Sequence, residues 1–165
     1  MLFGTSWCVS AQRHFCRATR LDPQCTEAWI AFGTSFAACD ESDQALVSFR
    51  EAQRLAPGNH VSLLYIGMEY LRTNHLVLAQ HFLLAAHDSC HGMDALAKSE
   101  LGVLNMAQKK CADAIAWFLQ ALGASVELLR DDQPHHPKAS VDVESLASLV
   151  EGIRDDDWVS NEEEN

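Results

Sequence analysis

Eight histidines and six cysteines give this 165-residue chain its most reactive side chains. His87 and His91 stand four apart with Cys90 between them, a spacing that puts ligand types on one helical face. That trio falls where the chain turns into Gly92, and no second cluster with ligand spacing accompanies it. It therefore reads as a solvated helix end, and no metal is expected. His135 and His136 sit in a proline-containing stretch and read as exposed. Cys8, Cys16, Cys25, Cys39, Cys90 and Cys111 form no C-x-x-C pair, so they read as small buried apolar residues in a reducing compartment. No G-x-S-x-G elbow and no glycine-rich phosphate loop occurs. The acids cluster on turns and in the tail rather than in catalytic pairs. Neither catalytic residues nor a cofactor is expected, and the chain does not read as an enzyme.

The glycines instead mark a period. Gly33, Gly67 and Gly102 are 34 and 35 residues apart. Around the first, TEAWIAFGTSFAACDESDQALVSFREAQRLAPGN places Trp29, Phe32-Gly33, Phe36, Ala45, Phe49, Ala52 and Pro57 in order. Ile66-Gly67, Tyr70, Ala79 and Ala86 repeat the pattern, as do Leu101-Gly102, Ala114, Phe118 and Ala121. Upstream, Ala11, Phe15, Ala18 and Pro23 match the second half of a preceding unit. The order and spacing resemble the tetratricopeptide (TPR) repeat. The implied fold is all-α, a right-handed superhelical solenoid of antiparallel helix pairs.

This register predicts first helices near 26–39, 60–73 and 95–108, and second helices near 10–21, 43–55, 76–89 and 111–123. Ser42 and Asp94 are expected N-caps. Pro23 and Pro57 should stop second helices, since proline lacks the N–H. Glycine costs about 1 kcal/mol against alanine inside a helix. The three glycines are thus expected at close helix approaches, with Ala45, Ala79 and Ala114 opposite. Trp29, Phe36 and Phe49 should fill the wider gaps. The array spans residues 1–129: a half repeat at 10–25 and full repeats at 26–59, 60–94 and 95–128. A linker at 130–141 follows, then an amphipathic helix at 142–153 built on Val143, Leu146, Leu149, Val150 and Ile153 behind Asp142. An acidic disordered tail closes the chain at 154–165. Opening on a half repeat, the chain reads as a fragment or truncated product.

The net charge of −11 is uneven. From Arg130 onward eleven acids face three bases, which accounts for −8. Such a balance argues against nucleic acid or an anionic membrane surface as partner. No apolar run approaches the ~20 residues that cross a bilayer, and the N-terminus lacks a basic leader. The chain is expected to be soluble and intracellular.

The functional surface of such an array is its concave side, built from first helices. The register assigns to that groove Glu27, Ile30, Thr34 and Ala37, then Val61, Leu64, Met68, Leu71 and Arg72, then Leu96, Ser99, Val103 and Met106. The strip is mainly apolar and suits an extended or helical peptide. At the places where chaperone-binding TPR domains carry a Lys and Asn clamp for a C-terminal carboxylate stand Ile30, Thr34, Leu64 and Met68.

The strings AWIAFGTSFA, SDQALVSF, LLYIGMEYLRTN, LAQHFLLAA, ELGVLNM and AIAWFLQAL are more specific than the bare repeat. Over roughly residues 7–123 the chain resembles the anaphase-promoting complex (cyclosome) subunit six, or cell-division-cycle sixteen, family. Ile30, Ser35, Tyr65, Glu69, Tyr70 and Asn74 extend the likeness to positions outside the repeat consensus. The resemblance implies a scaffold in a ubiquitin ligase of mitotic control, found in nucleus and cytoplasm. Its implied partners are sister TPR subunits and a small accessory subunit held in the groove. Competing readings are a free TPR adaptor, such as a chaperone partner, and the regulatory TPR segment of a longer enzyme.

Overall fold

A computed structural model of the protein describes the backbone of residues 3–131 and the side chains of residues 9–125. Among the described residues all regular structure is helical: α1 (Phe3–Leu21), α2 (Thr26–Ala37), α3 (Ser42–Leu55), α4 (His60–Arg72), α5 (Leu76–Ser89), α6 (Ala95–Ala107) and α7 (Cys111–Asp131). They fall into two compact units, one ending at His91 and one beginning at Gly92. In the first, α2 pairs with α3 and α4 with α5, while α1 packs on α2, α3 on α4, and α2 touches α4. In the second, α6 pairs with α7. Helices joined by such short turns run antiparallel. This is the TPR arrangement.

The periodic glycines set the pairing distance. A Cβ on Gly33 would lie 2.5 Å from Phe49 Cε1, one on Gly67 2.7 Å from Leu83 Cδ2, and one on Gly102 2.7 Å from Phe118 Cε1. Each first helix thus receives a large side chain from its own second helix, sixteen residues on in every pair. The alanines expected opposite the glycines are buried, at 0% exposure for Ala45 and Ala79, but the group filling each glycine notch is Phe49, Leu83 or Phe118. Phe49 is fully buried and also stacks on Tyr65 of α4, ring centroids 5.2 Å apart. It therefore fastens one pair to the next. Ala52, Ile66, Leu83 and Ala86 complete this core, and Leu101, Leu104 and Ala114 form that of the second unit.

The turns within pairs share one conformation. Asp40, Asn74 and Lys109 all have positive φ, at 61°, 60° and 62°. After each, a backbone N–H reaches back to the helix: Glu41 to Phe36 O at 3.0 Å, His75 to Tyr70 O at 2.8 Å, Lys110 to Asn105 O at 2.9 Å. These are Schellman closures, which satisfy carbonyls the helix leaves open, with a side-chain-bearing residue where glycine is usual.

The ends differ from expectation in three places. Asp94 caps α6 by accepting from Leu96 N, but Ser42 does not cap α3; it is already helical, and its hydroxyl accepts from Arg72 instead. Asn59 caps α4 by accepting from Val61 N at 2.9 Å. α1 starts at Phe3 and α7 runs on to Asp131, into the stretch expected to be linker, because no proline interrupts either segment. Pro23 and Pro57 lie just past α1 and α3. Pro23 O accepts from Trp29 Nε1 at 3.0 Å, which turns the tryptophan toward the turn before its own helix. The expected helix at 142–153 and the acidic tail lie outside the described residues.

On α1, Ala11, Phe15 and Ala18 are half-buried, whereas their counterparts on α3 are fully buried. Among the described residues no first helix precedes α1 to cover them.

Candidate functional site

The positions assigned to the groove lie on the first helices α2, α4 and α6. On α2, Glu27 is exposed while Ile30, Thr34 and Ala37 are half-buried. Thr34 Oγ1 donates to Ala31 O at 2.9 Å, so its hydroxyl is spent on its own helix. On α4, Val61, Met68 and Leu71 are half-buried, and Leu64 is only 2% exposed. Leu64 belongs to the core of the unit and has little surface to offer a partner. Because α2 and α4 touch, their groove positions lie on neighbouring helices.

The third first helix is the most open. Leu96, Val103 and Met106 on α6 are 44%, 43% and 60% exposed. Seven and ten residues separate them from Leu96, so they share one helical face. Ser99, on the same face, donates to Leu96 O at 2.8 Å, which leaves the patch apolar.

Arg72, assigned by register to the groove, is engaged within the unit. Its guanidinium binds Asp40 Oδ1 at 2.7 Å and Glu69 Oε2 at 2.8 Å, and it also donates to Ser42 Oγ. The hydrogen bond to Glu69 is the main reason its pKa stands above the ordinary arginine value, with Glu69 and Asp40 adding charge attraction against the cost of burial. Glu69 is buried, so its carboxylate depends on this partner. Arg72 thus ties the α2–α3 turn to the end of α4. The Glu69–Arg72 spacing of three residues was the readable signal; the reach to Asp40, thirty-two residues away, had none.

The trio singled out for metal chemistry does not converge. Cys90 Sγ donates to His87 O at 3.2 Å, and His91 adopts a positive φ of 53° in the turn. Among the described residues no group of three His, Cys, Asp or Glu side chains is arranged to hold an ion.

Known proteins match the same stretch. The chain is 44% identical over 114 residues to the anaphase-promoting complex subunit 6 of Arabidopsis thaliana, and 39% identical over 112 residues to the cell division cycle protein 16 homolog of Homo sapiens. Over these residues the chain belongs to the subunit 6 (CDC16) family. The matches cover 69% and 68% of this chain but 21% and 18% of the relatives, so it spans about a fifth of their length. The crystal structure of the APC/C hetero-tetramer Cut9-Hcn1 superposes with a TM-score of 0.71 at 32% identity, covering 74% of this chain and 24% of that one. No protein-family model matches. The TPR pairs of this subunit 6 relative therefore have a solved counterpart in a multi-subunit assembly. Among its described residues no helix is long and apolar enough to cross a membrane.

Proposed function

We propose that this chain is a non-catalytic docking scaffold in an anaphase-promoting-complex assembly, a ubiquitin ligase of mitotic control in nucleus and cytoplasm. The observation that carries the proposal is the open apolar face of α6, where Leu96, Val103 and Met106 lie on a helix held rigid by its pairing with α7. Burying such side chains on binding stabilises a complex by about 1.5–3 kcal/mol each before ordering costs. A few of them can dominate an interface. The solved relative supports the choice of partner class, since it was crystallised as a complex of Cut9 with Hcn1. The partners proposed are other TPR subunits and a small accessory subunit whose segment lies on α6.

The test is a pull-down from mitotic extract with the wild-type chain and a Val103→Glu, Met106→Glu variant whose helicity is first matched by circular dichroism. Wild type should recover anaphase-promoting-complex subunits and the variant clearly fewer. Equal recovery would remove this face as the docking surface. No recovery by wild type would overturn the scaffold reading.

A further inference from the structure

The first two helices enclose a cleft that lacks the polar bridge of the next repeat. Val9 and Cys16 of α1 and Phe32 and Phe36 of α2 form its apolar floor, in an open groove of about 510 Å³. Val9 is 46% exposed there. Thirty-four residues on, the α3–α4 cleft has Arg50 and Tyr70 at the places of Cys16 and Phe36, and Arg50 donates to the Tyr70 hydroxyl across the gap. Cys16 and Phe36 cannot make that bridge. A polar bridge between α3 and α4 is thus replaced by an apolar pair between α1 and α2.

The charge on the rim differs in the same way. Arg13, Arg17 and Arg20 lie four and three residues apart, on one face of α1, and all line the groove. In α3, Arg54 stands at the place of Arg20 and is paired with Glu51, their closest atoms 2.6 Å apart. The place of Glu51 is taken in α1 by Arg17, so the balancing acid is replaced by a second cation. Among the described residues no ion pair reaches the three arginines, and residues 1–21 contain no Asp or Glu at all. Asp22 follows Arg20 by two residues, and Glu41 accepts from Gln12 Nε2 at 3.4 Å. A chain of net charge −11 thus concentrates three of its twelve Lys and Arg residues on one face about two turns long.

We infer that the α1–α2 cleft is a second docking site, taking an acidic amphipathic segment of another protein. Its apolar side chains would fill the floor between Val9 and Phe36, and its carboxylates would pair with the arginine row. Arginine favours carboxylates by two-pronged hydrogen bonding. The groove extends along α1 from Val9 to Arg20, ~16 Å at the helical rise, which fits about three turns of a helix. The apolar floor favours a protein segment over nucleic acid, whose contact would be dominated by phosphates.

The test is fluorescence anisotropy on the full chain with a labelled synthetic helix, leucine on one face and glutamate on the other. Controls are a scrambled peptide of the same composition and a single-stranded oligouridine. Arg17→Glu gives α1 the Glu–Arg pair that α3 has at Glu51 and Arg54. Cys16→Arg with Phe36→Tyr gives its cleft the bridge of α3–α4. Both variants are checked for wild-type helicity and melting. Wild type should bind the amphipathic helix saturably, more weakly as salt rises, and at least ten-fold tighter than the scrambled peptide. Arg17→Glu should lose at least ten-fold and most of the salt dependence. The bridged double variant should lose affinity but keep the salt dependence. No saturable binding, equal binding of the scrambled peptide, equal binding by both variants, or preference for oligouridine would each overturn the site. Val103→Glu with Met106→Glu should leave this binding unchanged, which keeps it separable from the face proposed on α6.

Discussion

Leu83 occupies the space in which a side chain on Gly67 would begin. A Cβ there would meet Leu83 Cδ2 and Cγ at 2.7 Å, and Leu83 N at 3.2 Å. The side chain could swing away only at the expense of a core position with no exposure, and the backbone nitrogen cannot swing. Gly67→Ala should therefore destabilise the chain by about 1–3 kcal/mol, in the range of an overpacked core, and Gly67→Leu by more. Gly58→Ala is the control, because nothing lies within 4 Å of a Cβ at that turn. Thermal melts decide it. A midpoint for Gly67→Ala equal to that of Gly58→Ala would mean α4 and α5 do not pack at this distance.

The three positive-φ turns make a second prediction of opposite sign. Lys109 sits at φ 62° with an ordinary side chain. A left-handed conformation costs an L-residue about 1–2 kcal/mol, while glycine gains entropy in the unfolded chain. Lys109→Gly should stabilise by up to about 1 kcal/mol. Asn74→Gly should gain less, since asparagine tolerates this region. Denaturant unfolding of the two variants provides the measurement, and a loss of stability in Lys109→Gly would argue against the closure at Lys110.

Arg72 supports a third. Removing it leaves the buried Glu69 carboxylate without its cation, whereas removing Asp40, 89% exposed, takes away only a surface partner. Arg72→Ala should cost about 2–3 kcal/mol, less than a fully buried pair because the guanidinium is partly solvated. Asp40→Ala should cost under about 1 kcal/mol. Glu69→Gln introduced beside Arg72→Ala should recover part of the loss. If the single and double variants melt together, the Glu69 charge is not what Arg72 serves.

The helix pairs were legible because small and large residues recur at a fixed period, and backbone packing reads those positions directly. Gly33, Ala45, Phe49 and Pro57 carry most of that signal. What stayed hidden depends on contacts across space. Leu64 and Met68 look alike in register, yet Leu64 sinks into the core and Met68 stays half-buried, since their exposure is set by the neighbouring helix rather than their own. The turn at Lys109 shows no glycine to announce its φ. Arg72 fell in the groove by register, and nothing in the sequence pointed to its partner Asp40, thirty-two residues away. The openness of the α1–α2 cleft emerges only when Cys16 and Phe36 are set beside the bridged Arg50 and Tyr70.

The last prediction concerns acid. Glu100 is half-buried on α6, and burial raises its carboxyl above the ordinary value of 4.5. A carboxyl raised in the folded state binds its proton more tightly there than in the unfolded chain. Its contribution to stability is therefore fully present below pH 4.5 and is lost as pH rises through the folded value. At about pH 7 the ionised group opposes folding. Glu100→Gln removes that charge while keeping the shape. The variant should melt higher than wild type at neutral pH, and the difference should shrink to nothing as the pH falls below about 4. Other groups titrate over the same range, Glu51 among them with its pKa lowered by Arg54, and their sign is opposite. They are common to both proteins and cancel in the difference between the two melts. A difference that is constant with pH would assign the effect to packing or hydrogen bonding of the amide. A variant that melts lower at neutral pH would mean that the Glu100 carboxylate is stabilised by a partner and that its burial is not the deciding influence.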